Sequence, residues 1–227
     1  TRNHSSAASD VYKRQGNYRL ANGDEYDGEW KNDEMHGQGT YTYSNGDVYL
    51  GEFKKGKMNG KGEYSFSNGS VYKGNWEDDQ QNGEGTLTYS NGTEIKGVWT
   101  NGKVEGTANY FYPNGDVYEG GFSNNKRNGF GKMTNARGDI YEGNWRSGRK
   151  QGEGKMEFAS GVVYEGEWQN GKMTGSGSLT TMGGSEYEGE FRNGLYHGSG
   201  KLVHANGDVY EGEWLNGKKH GEGTYVY

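Results

Sequence analysis

Three histidines, His36, His197 and His220, stand immediately before the first glycine of a G-x-G triplet. Histidine is the usual general base at neutral pH and a common metal ligand, so its recurrence raises both chemistries. Other repeats put Asn59, Asn82, Asn128, Gln151 and Thr174 in that column, which favours solvated turn histidines over ligands. An outward acidic column, Asp27, Glu119, Glu142, Glu165, Glu188 and Glu211, suggests a cation ladder. Its members fall two strands apart, about 9.6 Å at ~4.8 Å per strand, too far to share an ion. Interleaved Lys132, Lys155 and Lys201 make it a cross-strand charge face. Gly83-Glu84-Gly85 resembles a phosphate loop, but no Lys-Ser/Thr follows and no helix opens. Catalysis needs unlike groups converging on a cleft, whereas a periodic chain makes columns of like groups. No catalytic residue, metal site or cofactor is expected, and the chain reads as a non-enzyme.

Charge segregates in one place. Residues 31–36 and their equivalents read as turns with a positive balance, on a chain of net charge −6. There Lys126, Arg127, Arg146, Arg149, Lys150, Lys172, Lys218 and Lys219 form a basic edge, with the carboxylate column expected to face away from it. Two readings stay open: solvated turns, or a docking edge for an anionic phospholipid or another anionic partner. Nucleic acid is not expected, because the overall charge is negative and the aromatics are consumed by packing.

The elements that must position these groups repeat. Y-x-G-x-[WF] begins at residues 26, 49, 72, 95, 118, 141, 164, 187 and 210, with Ile95 in place of one tyrosine, a period of 23 without a slip. Such periods mark arrays whose units bury their apolar faces only by stacking. Tyr26, Gly28 and Trp30 alternate onto one strand face, and Asp27 and Glu29 onto the other. The expected aromatic core columns are Tyr26, Tyr49, Tyr72, Tyr118, Tyr141, Tyr164, Tyr187 and Tyr210, with Trp30, Phe53, Trp76, Trp99, Phe122, Trp145, Trp168, Phe191 and Trp214. A second strand is predicted at about Gly39 to Tyr43, with Tyr41 inward. Asn45-Gly46, Asn101-Gly102 and their relatives predict tight turns with left-handed backbone. The Gly28 column leaves gaps that a neighbouring strand's ring is expected to cover.

Composition agrees with a thin aromatic core: 29% of residues are hydrophobic and 44 are glycine, yet 14% are aromatic. Glycine at this density opposes helix, and the absence of cysteine excludes a disulfide framework. The fold class is all-β, an elongated, twisted antiparallel β-meander repeat array with one hairpin per 23-residue repeat. Tyr210 to Gly223, Y-x-G-x-[WF]-x-N-G-x-x-x-G-x-G, resembles the MORN (membrane occupation and recognition nexus) repeat, and nine consecutive units carry the pattern. Ile95, Ala108 and Pro113 make the fourth repeat the weakest match.

Residues 1–15 are out of phase, and Ser5 to Gln15 reads as a translated sequencing adapter. They are expected to be a non-native or disordered leader, with residues 16–227 an array cut within a repeat at each end. The resemblance implies a non-catalytic scaffold with protein partners, peripheral contact with anionic membranes, and a homodimer through an exposed sheet edge. It implies a cytoplasmic location, at the inner face of a membrane where lipid is bound. The alternative is the regulatory arm of a phosphatidylinositol phosphate kinase or lysine methyltransferase whose catalytic domain lies outside this chain. Carbohydrate-binding aromatic hairpin repeats are a distant third class.

Overall fold

The computed structural model describes residues 14–227. The expected leader lies outside the described residues except for Arg14 and Gln15, which pair with Trp30 and Glu29. The chain divides into two compact units, Thr1–Lys103 and Val104–Tyr227, and among the described residues every element is a β-strand. Seven-residue strands such as Glu25–Lys31 and Ile140–Arg146 alternate with nine-residue strands such as Glu34–Thr42 and Arg149–Glu157. In the first unit each strand from Arg14–Arg19 to Glu94–Thr100 pairs antiparallel with the next in sequence. The second unit does the same from Lys103–Phe111 to Lys218–Val226. Each unit is thus an antiparallel meander of the expected class.

The expected second strand, about Gly39 to Tyr43, begins five residues late and ends one residue too far, since the strand runs Glu34–Thr42. It starts at Glu34, which pairs with Lys31 across a two-residue connection. Asn32 and Asp33 both take positive φ, 52° and 61°, the type I′ geometry that matches strand twist. The histidines therefore lie on strands, not turns, with His197 opposite Glu190 and His220 opposite Glu213. At the other end, Asn45-Gly46 belongs to a five-residue loop in which only Gly46 is left-handed. There the Tyr43 carbonyl accepts the Gly46 N–H, and Asn45 Oδ1 accepts the Asp47 N–H.

The loop residue after Asn-Gly forms a clamp between repeats that the sequence reading missed. Asp24 accepts the Ser44 N–H at 2.8 Å and the Tyr41 hydroxyl at 2.7 Å. Asp47 does the same for Ser67 and Tyr64, and Asp139 for the Ala159 N–H. Hydrogen bonds to the Tyr41 hydroxyl and Ser44 N–H hold the Asp24 carboxyl below its ordinary range. The Ser67 and Ala159 backbone amides do so for Asp47 and Asp139. The fold therefore prefers the ionised form. The stability these groups contribute is present above their unfolded pKa of about 3.9 and is lost as pH falls through the lower folded values.

Ser70 holds the Ser90 N–H through its hydroxyl, so serine keeps the clamp without the charge. A variant combining Asp24→Ser, Asp47→Ser and Asp139→Ser should show a flatter melting temperature below about pH 4 than the parent chain. Parallel acid profiles by circular dichroism would refute a titrating clamp.

Candidate functional site

The core is a spine of edge-to-face rings. In the first unit it runs Trp30, Tyr26, Phe53, Tyr49, Trp76, Tyr72, Trp99, with neighbouring centroids 5.1–5.3 Å apart. The second unit repeats it from Phe122 through Trp145 and Trp168 to Tyr210 at 4.9–5.3 Å. Offset edge contacts of this kind match positive ring edges to negative faces. Every tyrosine of the column is buried, and desolvation pushes the Tyr26, Tyr72 and Tyr118 hydroxyls up to about 12. The neutral hydroxyl donates to the carbonyl three residues on, Tyr26 to Glu29 at 2.8 Å and Tyr141 to Asn144 at 3.0 Å.

Glycine makes room for this spine differently from the expectation. Gly28 pairs with Gly39, and a Cβ at either would lie 2.5 Å from an atom of Tyr26. The covering ring comes from the same strand, two residues back, rather than from a neighbouring strand. The first glycine of G-x-G does another job: Gly37 and Gly152 take φ of +67° and +71°, beside the register shifts at Gly28/Trp30 and Gly143/Trp145. The shift turns the residues before it so that Met35 faces Trp30 and Lys150 faces Trp145.

That register exposes a column that the sequence reading did not separate. Met35, Met58 and Gln81 pair with the Trp/Phe column in the first unit. Arg127, Lys150, Met173, Tyr196 and Lys219 do so in the second. The spine barely varies, while the residue laid over it changes from repeat to repeat. The signal was a variable position two residues before the first glycine of G-x-G, as Met35 before Gly37 and Lys150 before Gly152, visible only once the bulge is known.

The predicted basic edge accordingly splits in two. Arg127, Lys150 and Lys219 turn onto the aromatic face, with the Arg127 guanidinium 4.3 Å from the Trp145 ring centroid. Lys150 Nζ lies 4.4 Å from Tyr141 and 4.7 Å from Trp168, and Lys219 Nζ 4.5 Å from Tyr210. Lys126, Arg146, Arg149, Lys172 and Lys218 stand exposed beside the hairpin tips. On the strand Ile140–Arg146, Arg146 and Glu142 alternate onto the same face. The carboxylates thus share the face of the exposed cations instead of pointing away. Glu142 itself pairs with Lys155, as expected for the charge face.

Among the described residues no helix is long and apolar enough to cross a membrane. No curated protein matches the chain. Among solved structures, the wild-type TCP10 domain of Danio rerio CPAP in complex with a peptide of Danio rerio STIL is 12% identical with a TM-score of 0.51, covering 88% of this chain and 94% of that one. A second structure of the wild-type domain is 13% identical with a TM-score of 0.48, covering 87% and 94%. At 12% identity the likeness to the peptide complex is one of fold alone. The family model of the MORN repeat matches residues 26–48, 49–71, 72–94, 96–117, 118–140, 141–163, 164–185, 187–209 and 210–227. Its units coincide with the ring-and-glycine hairpins described above, and the chain belongs to the MORN repeat family.

Proposed function

We propose that the array is a non-catalytic scaffold that docks partner peptides along its aromatic face. The observation that carries this reading is the constant ring spine overlaid by a column that varies from Met58 to Lys150 to Tyr196. A repeat architecture with fixed packing and variable surface residues presents an extended binding face. The fold shared with the CPAP domain, solved with a STIL peptide, is compatible with peptide docking. A panel of phage-displayed peptides selected on the chain should shift the amide resonances of Met58, Lys150 and Met173, and Met58→Glu or Met173→Glu should weaken the selected peptides of those repeats. Binding that maps to the Glu142 face, or failure to select any peptide, overturns the reading.

A second reading rests on the exposed tip cations, which form a surface for anionic bilayers. Each basic residue near such a surface contributes about 1 kcal/mol, fading within a Debye length. Because Arg127 and Lys150 turn inward, Lys126, Arg146 and Arg149 are left to act at adjacent tips of the second unit. Co-sedimentation with phosphatidylserine vesicles should be weak, should fall steeply with salt, and should vanish when these three charges are reversed. Equal binding to neutral vesicles would sink it.

A further inference from the structure

The second unit carries one place where the variable column is cationic in two successive repeats. Arg127 and Lys150 occupy equivalent register positions, opposite Phe122 and Trp145. Each reaches over rings: Arg127 over Trp145 with Tyr118 at 5.6 Å, Lys150 over Tyr141 and Trp168. They line one cavity of about 390 Å³ with Met133, Met156, Tyr141 and Trp145. Both side chains are half-buried, and among the described residues neither forms an ion pair.

We propose that this cavity recognises a partner peptide carrying two acidic side chains three residues apart, Asp/Glu-x-x-Asp/Glu, one seated at Arg127 and one at Lys150. The inference rests on the peptide-docking reading above and gives it a chemistry.

Spacing selects the ligand's form. The two cations are one repeat apart, two strands, or about 9.6 Å at ~4.8 Å per strand. A peptide in the extended three-residue-per-turn conformation rises about 3.1 Å per residue, so positions i and i+3 share one face about 9.3 Å apart. A flat β-strand would bring i and i+2 to one face at about 6.6–6.8 Å, which misses the second cation. The intervening residues would lie on the Met133 and Met156 side chains, whose sulfurs already approach the cations at 3.9 and 3.6 Å.

Electrostatics point the same way. Burial, opposed by Asp139 and aided by Arg127, lowers the Lys150 amine to about 8, so its charge lacks a full counterion. Asp116 and Asp139 also line the cavity, but each commits an oxygen to a backbone amide, of Ala136 at 2.9 Å and Ala159 at 2.8 Å. Each arriving carboxylate gains one partially desolvated cation, the arrangement in which charge-assisted hydrogen bonds are strong. A headgroup plane meets the exposed tips first, whereas a single chain can enter the groove.

Methionine is native to this column at Met58 and Met173, so Arg127→Met and Lys150→Met preserve the packing. Fluorescence anisotropy on the full chain would use a labelled proline-alanine peptide with two glutamates three apart, its Glu→Gln counterpart, one with the glutamates adjacent, and phosphatidylserine vesicles. The Glu-x-x-Glu peptide should bind about ten-fold tighter than either control, and each Met variant should lose about ten-fold, the scale of one charge-assisted contact. Lys126→Met and Arg146→Met should change it by less than about two-fold. Equal binding of the Glu and Gln peptides, or indifference to the Met substitutions, overturns the acidic readout while leaving peptide docking intact. If none of these peptides binds, the acidic readout falls, and peptide docking stands or falls by the selection experiment above. Vesicle binding lost in the Met variants without peptide binding assigns the cavity to headgroups instead.

Discussion

Trp145→Ala is expected to destabilise the second unit by about 3–5 kcal/mol, the range of buried aromatic truncations. The indole is buried and serves two repeats at once. It meets Tyr118 and Tyr141 edge-on, each at 5.2 Å, and its Nε1 donates to the Gly131 carbonyl at 3.1 Å. Removing it opens a cavity between two tyrosines, deletes that hydrogen bond, and leaves the Arg127 guanidinium the more distant Tyr118 ring at 5.6 Å. Because contacts are between nearest neighbours, lost hydrogen-exchange protection should concentrate around residues 118–156. Trp145→Phe should cost about 1 kcal/mol, mainly the indole hydrogen bond, since Phe53, Phe122 and Phe191 fill the same position. Glu142→Ala, exposed on the same strand, should stay within about 0.5 kcal/mol. Uniform loss of protection along both units would contradict a nearest-neighbour spine.

The ring columns were legible because burial writes itself as identity: a ring enclosed by two others tolerates no charge, so Tyr26 and Trp30 recur at fixed spacing. The turn after Trp30 was legible in type but not in length, because a hairpin closed by two residues and one closed by six share the same Asn and Gly signals. The error propagated. Placing residues 31–36 in a turn hid the alternation that sends Arg127 to the rings and Lys126 to solvent. The bulge at Gly37 or Gly152 is a backbone event, and a glycine in sequence does not declare whether it serves φ or space. Asp24 and Asp47 were missed for a similar reason. Their partners lie 20 residues on, so the column looks like ordinary turn polarity until the repeats are stacked.

Those two uses of glycine predict opposite rankings from the same substitution, which makes them separable. Gly143→Ala should cost about 3 kcal/mol or more, at or beyond the upper end of overpacking. Its Cβ would lie 2.5 Å from the Gly154 Cα and 2.7 Å from the Glu153 carbonyl oxygen, backbone atoms of the paired strand that cannot retreat without breaking the ladder. Gly154→Ala meets the Tyr141 ring instead, with its hydroxyl at 2.4 Å. That ring is held between Trp145 and Trp168, so it too resists. Pairing Gly154→Ala with Tyr141→Ile should remove most of the added cost; the sequence carries that combination once, as Ile95 with Ala108 thirteen residues later. Gly152→Ala finds nothing nearer than 3.7 Å and pays only for its φ of +71°, about 1–2 kcal/mol for a left-handed non-glycine residue. Urea midpoints of the three single variants and the double should therefore order Gly143→Ala as the least stable single and Gly152→Ala as the mildest. If Gly152→Ala proves the most damaging, conformational freedom rather than close approach of ring and strand governs these columns, and the glycine floor beneath Tyr141 is not what fixes the spine.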